Sequence, residues 1–210
     1  MSKKAAYQSM ADTIIKQLEK RNMKGYYCST SKEATELAMK LMEAGDTVTW
    51  GGSMTISECG LMDALANSSH TLLDRSIAKT PEEKREFFSK AILADYYLMS
   101  TNAITLDGQL VNIDGTGNRI ACLSYGPKEV IIIAGMNKVV TDVDTGIERV
   151  RNFAAPPNTV RLNCKTPCAT TGVCGDCLSK ETICCQTMIT RFSREPERIK
   201  VILVGEELGY

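Results

Sequence analysis

The sequence predicts an α/β domain of three layers, in which helices cover both faces of an open and mostly parallel sheet. The chain opens with a β-α-β unit across residues 26–50, which places its two strands side by side in parallel. Residues 129–134 are almost purely apolar, as expected for a central strand buried on both faces. Glycine-containing loops follow several of the predicted strands, the position at which such sheets bind ligands.

Apolar residues at helical spacing, bounded by caps and glycines, predict the helices, which are 11–22, 31–45, 59–65, 80–93, 142–152 and 187–192. Runs of β-branched, aromatic and aliphatic residues predict the strands, which are 26–28, 47–50, 70–74, 95–99, 129–134 and 198–205. The last strand is expected to return to the main sheet. The predicted organisation is an N-terminal helix in residues 1–24, an α/β domain in 25–157 closed by Pro156 and Pro157, and a cysteine-rich C-terminal part in 158–210.

Charge and hydropathy argue against several classes of function. Lysine plus arginine equals aspartate plus glutamate, at 25 each in 210 residues, and no basic run occurs. Binding to nucleic acid or to a membrane is therefore not expected. No apolar run reaches a membrane-spanning length and the N-terminus has no signal-peptide core, so we expect a cytoplasmic protein. Nine cysteines in such a chain indicate metal binding or redox chemistry rather than a disulfide framework.

Residues 101–127 carry the densest group of turn and ligand-type residues. Asp107-Gly108 separates two short β-rich runs and predicts a hairpin whose two turn residues both have positive φ. The glycine-rich turn 114–119 precedes a helix, where backbone N–H groups and the Arg119 guanidinium suit an anion. Alternatively, Gly115 and Gly117 only form a turn. The density of polar groups favours a binding role for Asn102, Asp107, Asn112, Asp114, Asn118 and Arg119.

Two further loops follow predicted strands of the same sheet. Gly51 to Thr55 leads into a helix, so its amides, Ser53 and Thr55 suit a phosphate or carboxylate, unless Ser53 or Thr55 is only a helix cap. Gly135 to Lys138 ends the most apolar strand, where Lys138 is either a cation of the cleft or a solvated turn residue. Because carboxyl ends of parallel strands share one edge, we expect all three loops to face one cleft.

Cysteines cluster near the C-terminus, where six of the nine lie between residues 163 and 185. Cys174 and Cys177 are spaced to chelate one metal, and two more thiolates from the surrounding turns would complete a four-thiolate site. Buried apolar cysteines would not gather in a loop rich in Thr, Pro and Gly. His70 is the sole histidine, so a Ser-His-Asp relay or a multi-histidine metal site is not expected.

The chain also resembles a known family, on these residues: 101–104, 107–108, 110–112, 114–119, 125–127 and 135–138. They are similar to the LUD domain of lactate-utilisation proteins, LutC type. Residues 50–55 resemble the first loop of that family. The resemblance implies the fold of the NagB, ribose-5-phosphate isomerase and CoA-transferase superfamily, and it favours Lys138 as a cleft cation. It also implies that Cys168, Cys174, Cys177 and Cys184 are the metal ligands, with Cys164 and Cys185 outside the pattern.

The resemblance further implies a part in oxidising L-lactate to pyruvate with iron–sulfur partner proteins, and it favours an iron–sulfur cluster over Zn²⁺ at the cysteines. A stand-alone enzyme of the CoA-transferase or sugar-phosphate isomerase kind and a metal-stapled interaction module are the alternatives. Catalysis by the isolated chain and a homodimer are both left open. Glu58, Asp107 and Asp114 are the candidate acid–base carboxylates. The candidate residues for a small anionic ligand are Gly52, Ser53, Thr55, Asn102, Asn112, Gly115, Gly117, Asn118, Arg119, Asn137 and Lys138.

Overall fold

A computed structural model of the chain describes residues 3–210, so that residues 1 and 2 of the predicted N-terminal segment lie outside it. Its helices are α1 (Lys3–Lys20), α2 (Ser31–Lys40), α3 (Met54–Glu58), α4 (Leu61–Ala66), α5 (Pro81–Ile92), α6 (Asn118–Ser124), α7 (Val143–Arg149), α8 (Ala155–Arg161) and α9 (Pro167–Thr171). Its strands are β1 (Lys24–Cys28), β2 (Thr47–Trp50), β3 (Thr71–Leu73), β4 (Tyr96–Met99), β5 (Ala103–Thr105), β6 (Leu110–Asp114), β7 (Glu129–Gly135), β8 (Val139–Val140), β9 (Gln186–Thr190) and β10 (Ile199–Val204).

The main sheet has six parallel strands in the order β1-β10-β7-β4-β2-β3. Side chains of β7 alternate between two cores, with Val130 and Ile132 in one and Ile131 and Ile133 in the other. Helix α1 packs against the first core, and α2 and α4 pack against the second. The predicted three-layer α/β fold with a parallel sheet is confirmed. A strand buried on both faces needs apolar residues at nearly every position, which explains the apolar run in β7.

A smaller sheet of four strands, in the order β8-β5-β6-β9, lies beside the cleft. The predicted helix over residues 187–192 is wrong, because this segment is β9 and pairs antiparallel with β6 from Gln186 to Thr190. Its sequence, Gln-Thr-Met-Ile-Thr, is rich in β-branched residues, which fit a pleated surface better than a helix. Tertiary pairing decided the structure of this short run.

The β5–β6 hairpin forms where Asp107-Gly108 predicts it, but with a different turn. Of these two residues, only Gly108 has positive φ, at +83°. Its N–H donates to the carbonyl of Thr105 at 2.9 Å, and the N–H of Thr105 donates to the carbonyl of Gln109. This is a three-residue turn closed by a glycine in the left-handed region, which leaves the preceding aspartate in an ordinary conformation.

The helix predicted to end at residue 152 continues to Arg161. A widened π turn over Val150–Ala154 joins α7 to α8. Pro156 and Pro157 have no N–H to donate, so they remove bonds from the helix, and a local π turn accommodates the lost bonds without ending it. The helical segment therefore continues past the prolines, and α8 reaches the cysteine-rich region, where Thr159 contacts Cys168.

Candidate functional site

The loops that follow β2, β4 and β7 meet in one cleft at the carboxyl edge of the main sheet. The cleft has a volume of about 280 Å³. The turn between β6 and α6 and one side of α8 complete its walls. Nine of the predicted site residues line it, namely Gly52, Ser53, Thr55, Asn102, Asp114, Gly115, Asn118, Arg119 and Lys138.

Five predicted site residues lie outside the cleft wall, namely Glu58, Asp107, Asn112, Gly117 and Asn137. Two of them support it. Asn112 is fully buried behind Arg119, and the N–H of Gly117 donates to Oδ1 of Asp114 at 2.9 Å.

The other three hold distant parts of the chain together. Asp107 lies at the far end of the hairpin, where its Oδ2 accepts a hydrogen bond from Arg21 at 2.6 Å. The ends of β5 and β6 that lie away from the turn are next to the cleft. The turn is at the opposite end of the hairpin, so this carboxylate does not reach the cleft. Oε2 of Glu58 accepts from the N–H of Gly209, and the side chain of Asn137 both donates to and accepts from Leu208. These two residues fix the C-terminal segment.

Arg119 is held in place by its neighbours. Its Nη1 donates to Oδ1 of Asn112 at 2.5 Å, and its Nη2 donates to Oδ1 of Asn102 at 2.8 Å and to the carbonyl of Ile113 at 2.6 Å. Its Nε lies 3.4 Å from Oδ2 of Asp114. Burial lowers the pKa of Arg119, and the charge of Asp114 opposes that shift. Arg119 therefore brings positive charge to the cleft, although most of its N–H groups are already engaged.

Asp114 has one oxygen with an unused hydrogen-bonding capacity. The residue is 7% exposed, and Oδ2 has no hydrogen-bond partner among residues 3–210. The 3.4 Å approach of Arg119 is an ion pair without hydrogen-bond geometry. A buried oxygen of this kind is costly unless a further donor reaches it. Asp114 is therefore the predicted acid–base carboxylate that the fold places best for contact with a ligand.

Lys138 is the most buried cation of the cleft, at 4% exposure. Its Nζ donates to Oγ1 of Thr55 at 2.8 Å and to Oγ of Ser100 at 2.9 Å. Burial lowers the pKa of Lys138 to about 7, and the nearby charges of Arg149 and Arg119 lower it further, against a smaller opposing effect of Glu58. Lys138 can therefore exist as a neutral amine near neutral pH.

Sequence reasoning missed several cleft residues, namely Arg75, Ser100, Asn158, Arg161 and Tyr210. A signal existed for Arg75, because it directly follows the predicted strand 70–74 and so lies at the same sheet edge as the other loops. Gly52 leaves room for its guanidinium, which the Cβ of any larger residue would overlap. Arg161 gave no such signal, since it lies beyond the prolines that were expected to close the domain.

The four predicted cysteine ligands lie within reach of one another's charges. Although Cys184 is exposed, partial desolvation of its sulfur raises the pKa of the thiol, and the charges of Cys174, Cys168 and Cys177 raise it further. Burial also acts to raise the pKa of Cys168, but hydrogen bonds with the hydroxyls of Thr159, at 3.4 Å, and Thr166, at 3.3 Å, outweigh it and lower that pKa.

A cation also faces this group, since Nε of Arg151 donates to Sγ of Cys174 at 3.4 Å. No group of three or more His, Cys, Asp or Glu side chains within residues 3–210 is arranged closely enough to hold a metal ion.

The cysteine-rich segment adjoins the cleft. Ile183 lines the cleft, and the N–H of Cys185 donates to the carbonyl of Asp114 at 2.9 Å. Helix α8 contributes to both regions, because Asn158 and Arg161 line the cleft while Thr159 contacts Cys168. Helix α8 and residues 183–185 thus each connect the cysteine-rich segment with the cleft.

Comparison with known proteins identifies the family. A family model, the LUD domain, matches residues 11–204, which is nearly the whole chain. The chain belongs to the LUD domain family. The match spans all three cleft loops of this LUD domain and its cysteine-rich segment together. None of the curated proteins compared with the chain matches it.

Solved structures resemble this LUD domain at low sequence identity. The crystal structure of a duf162 family protein from Deinococcus radiodurans is 15% identical, with a TM-score of 0.55 over 94% of this chain and 98% of that protein. This similarity supports the fold alone. Partial matches at lower scores include eIF2B delta from Chaetomium thermophilum, with 18% identity and a TM-score of 0.37 over 56% of this chain and 50% of that chain. None of the helices in residues 3–210 has the length and apolarity needed to cross a membrane.

Proposed function

We propose that this LUD domain binds a small carboxylate, L-lactate or pyruvate, in the cleft as a component of bacterial lactate utilisation. The observation that carries the proposal is an excess of positive charge. Arg75 and Arg161 line the cleft, and within residues 3–210 neither has a carboxylate at salt-bridge distance, while Lys138 adds an amine to the same cleft. The cleft is at the lower end of the usual range for ligand pockets, which starts at about 300 Å³, so it suits a ligand of a few heavy atoms.

Arg75 and Arg161 differ from Arg119 in their contacts. Arg161 donates to a single neutral partner, Oδ1 of Asn158, through Nε and Nη2. Its remaining N–H groups are free to form a bidentate contact with a carboxylate, the geometry for which a guanidinium is best suited. Arg119 holds Asn102 and Asp114 in position and supplies charge from behind. The family membership supplies the reason for choosing lactate or pyruvate among small carboxylates.

Isothermal titration calorimetry tests this proposal with L-lactate, pyruvate and the neutral analogue lactamide. We expect both acids to bind and lactamide not to bind. Removing one charge-assisted contact in Arg161→Ala costs about 1.5 kcal/mol, the lower end of the usual range because the side chain is exposed, or roughly a tenfold weaker Kd. Arg85→Ala, which removes an exposed arginine of α5 outside the cleft, is the matched control. Equal Kd values for the two variants would remove Arg161 from the site, and no binding of either acid would refute the proposal.

We also propose that Cys168, Cys174, Cys177 and Cys184 hold an iron–sulfur cluster, with Zn²⁺ as the alternative. What supports this is the donor set, in which four thiols share one region, Nε of Arg151 donates to Sγ of Cys174, and the hydroxyls of Thr159 and Thr166 lie at hydrogen-bond distance from Sγ of Cys168. Such contacts to sulfur are known to tune clusters. When bound, a cluster would supply electron transfer, which zinc cannot perform, and iron–sulfur partner proteins would exchange those electrons.

Anaerobic reconstitution with iron and sulfide compares the wild type with Cys174→Ser. A visible charge-transfer band in the wild type that is weakened in the variant supports the cluster. Cys28→Ser, which alters a buried cysteine of β1, is the matched control and is expected to keep the band. The cluster is refuted by a band of equal strength in the wild type and Cys174→Ser, or by stoichiometric zinc with no band in any of them.

The alternative functions predict different results. Turnover of an acyl-CoA or a sugar phosphate by the isolated chain would establish a CoA-transferase-like or isomerase-like enzyme, for which Asp114 is the candidate carboxylate. A cleft that binds no small anion would favour a metal-stapled interaction module. The charge of the cleft and its family favour lactate utilisation over both.

A further inference from the structure

Lys138 has an environment that simple anion binding does not require. We propose that the Lys138 amine is a nucleophile that forms an imine with the carbonyl carbon of a small 2-oxo acid held in the cleft. This inference rests on the proposed function, because it needs a carboxylate in the same cleft. It goes beyond that function by assigning a covalent step to one atom.

The hydrogen bonds around Nζ match a neutral amine. A neutral lysine has two N–H groups and one lone pair, whereas the ammonium ion has three N–H groups and none. Nζ has two acceptors, the hydroxyls of Thr55 and Ser100, and residues 3–210 offer it no third. Both N–H groups of the neutral form are therefore satisfied, and the lone pair remains for a ligand. An ammonium would leave one buried N–H without a partner, at a cost comparable to a lost hydrogen bond.

The cations near Lys138 also favour its neutral form. Arg149, on α7, and Arg119, on α6, are the cations near it, and the fold holds both in place, Arg149 by donating to the carbonyls of Asn102 and Asn137. Glu58 and Cys59 act more weakly in the opposite direction, and Glu58 is not within salt-bridge distance of Nζ. A lysine that is desolvated and placed beside other cations is the arrangement that activates an amine for Schiff-base chemistry.

The reaction is balanced without any oxidant or reductant. The lone pair of Nζ attacks the carbonyl carbon, the carbonyl π bond breaks, and one proton passes from nitrogen to oxygen to give a carbinolamine. The second proton passes from nitrogen to the hydroxyl group as the C–O bond breaks, the oxygen leaves as water, and the nitrogen electron pair forms the C=N bond of the imine. The hydroxyls of Thr55 and Ser100, both in contact with Nζ, can pass these protons.

A 2-oxo acid is the ligand class that uses all of these groups. Its carboxylate would pair with the arginines of the cleft rim, Arg75 and Arg161, while its adjacent ketone carbon would face the buried amine. The unpartnered Oδ2 of Asp114 is available to accept a hydrogen bond or a proton from the oxygen that forms. A 2-hydroxy acid such as lactate has no ketone carbon and can bind only without a covalent bond to Nζ.

Reductive trapping tests the inference. The purified wild-type chain is incubated with pyruvate and sodium cyanoborohydride near pH 7.5, and intact mass and peptide mapping then locate any adduct. L-lactate with the same reductant is the ligand control. Lys138→Arg has no primary amine and cannot form an imine. Lys200→Arg changes a lysine of β10 that is mostly buried and paired with Glu129, outside the cleft, and serves as the matched protein control.

We expect one pyruvate adduct on Lys138 in the wild type and in Lys200→Arg, none with lactate, and at least a tenfold loss of adduct in Lys138→Arg. Calorimetry on the wild type separates the two hypotheses. If pyruvate binds in the cleft but no adduct forms at Lys138, the imine is refuted and the proposed function stands. Adducts spread equally over many lysines also overturn the inference. If L-lactate binds but pyruvate does not, the imine is refuted and the proposed function stands; if neither acid binds, both fail. Because the wild-type result decides alone, misfolding of a variant cannot rescue the idea.

Discussion

The neutral amine of Lys138 should be visible in the stability of the protein, whether or not any ligand binds. We predict that Lys138→Met removes a pH-dependent term from the free energy of unfolding. Methionine is close to lysine in length and fills the same space without a charge, so the difference between the two proteins isolates the ionisation of this one group. Other groups that titrate in both proteins largely cancel in that difference.

The size and sign follow from the two pKa values. Burial and the neighbouring arginines lower the pKa of Lys138 from its usual 10.5 to about 7. Between these values the unfolded chain holds a proton that the folded chain has released, so the stability of the wild type rises with pH. Each pKa unit corresponds to about 1.4 kcal/mol, so the folded state is destabilised by about 5 kcal/mol well below pH 7, and this penalty disappears above pH 10.5.

Urea denaturation at pH 7, 8, 9 and 10 measures the effect, with free energies of unfolding taken by linear extrapolation. The advantage of Lys138→Met over the wild type should shrink by about 3 kcal/mol between pH 7 and pH 10. The absolute stability of the variant is irrelevant, because only the slope reports the ionisation. A difference that stays constant across this range would show that the folded protein keeps Lys138 charged, and the argument for a neutral amine would be wrong.

Three further predictions concern other parts of the molecule. Arg21→Ala removes three hydrogen bonds that hold the tip of the hairpin, including two to Asp107, and should lower the free energy of unfolding by about 2 kcal/mol without changing pyruvate affinity. Arg119→Ala makes the same change at the cleft and should weaken pyruvate binding at least tenfold by calorimetry; equal affinities in these two variants would contradict the site. Gly135→Ala places a Cβ 2.6 Å from the backbone nitrogen of Leu208, so its Tm should fall by several degrees, consistent with an overpacking cost of about 1 to 3 kcal/mol. Gly175→Ala, where the nearest atom is 3.4 Å away, should change Tm little.

Strands of the main sheet were predictable because their signal is local and strong. An apolar run such as Val130 to Ala134 predicts a strand that is buried on both faces. The β-α-β unit near the start of the chain predicts that the strands of the sheet are parallel. The cleft followed from the same reasoning, since loops at strand carboxyl ends share an edge. Residues that lie directly in those loops, such as Ser53 and Asn118, could therefore be placed from the sequence.

Errors occurred where a distant partner decided the structure. Strand β9 was predicted as a helix because nothing within residues 186–190 reveals β6 as its partner. Asp107 was predicted in the cleft because its type suits catalysis, whereas Arg21, 86 positions earlier, holds it elsewhere. Arg161 was missed because a π turn carries α8 past two prolines. Each case depends on contacts between segments far apart in the chain, and periodicity and capping signals report only on local sequence.

The order of strands in the main sheet has a consequence for how the protein is made. In that sheet β1, near the start of the chain, pairs only with β10, which is translated more than 170 residues later. Strand β7 likewise has β10 as one of its two neighbours. As the chain leaves the ribosome, β1 has no strand to pair with and one edge of β7 stays open until residues 199–204 emerge. Since contacts of such long sequence separation form slowly, β1 stays unpaired while residues 29–198 are made, and one edge of β7 stays open while residues 136–198 are made. A chain of this topology should depend on chaperones more than its modest size suggests.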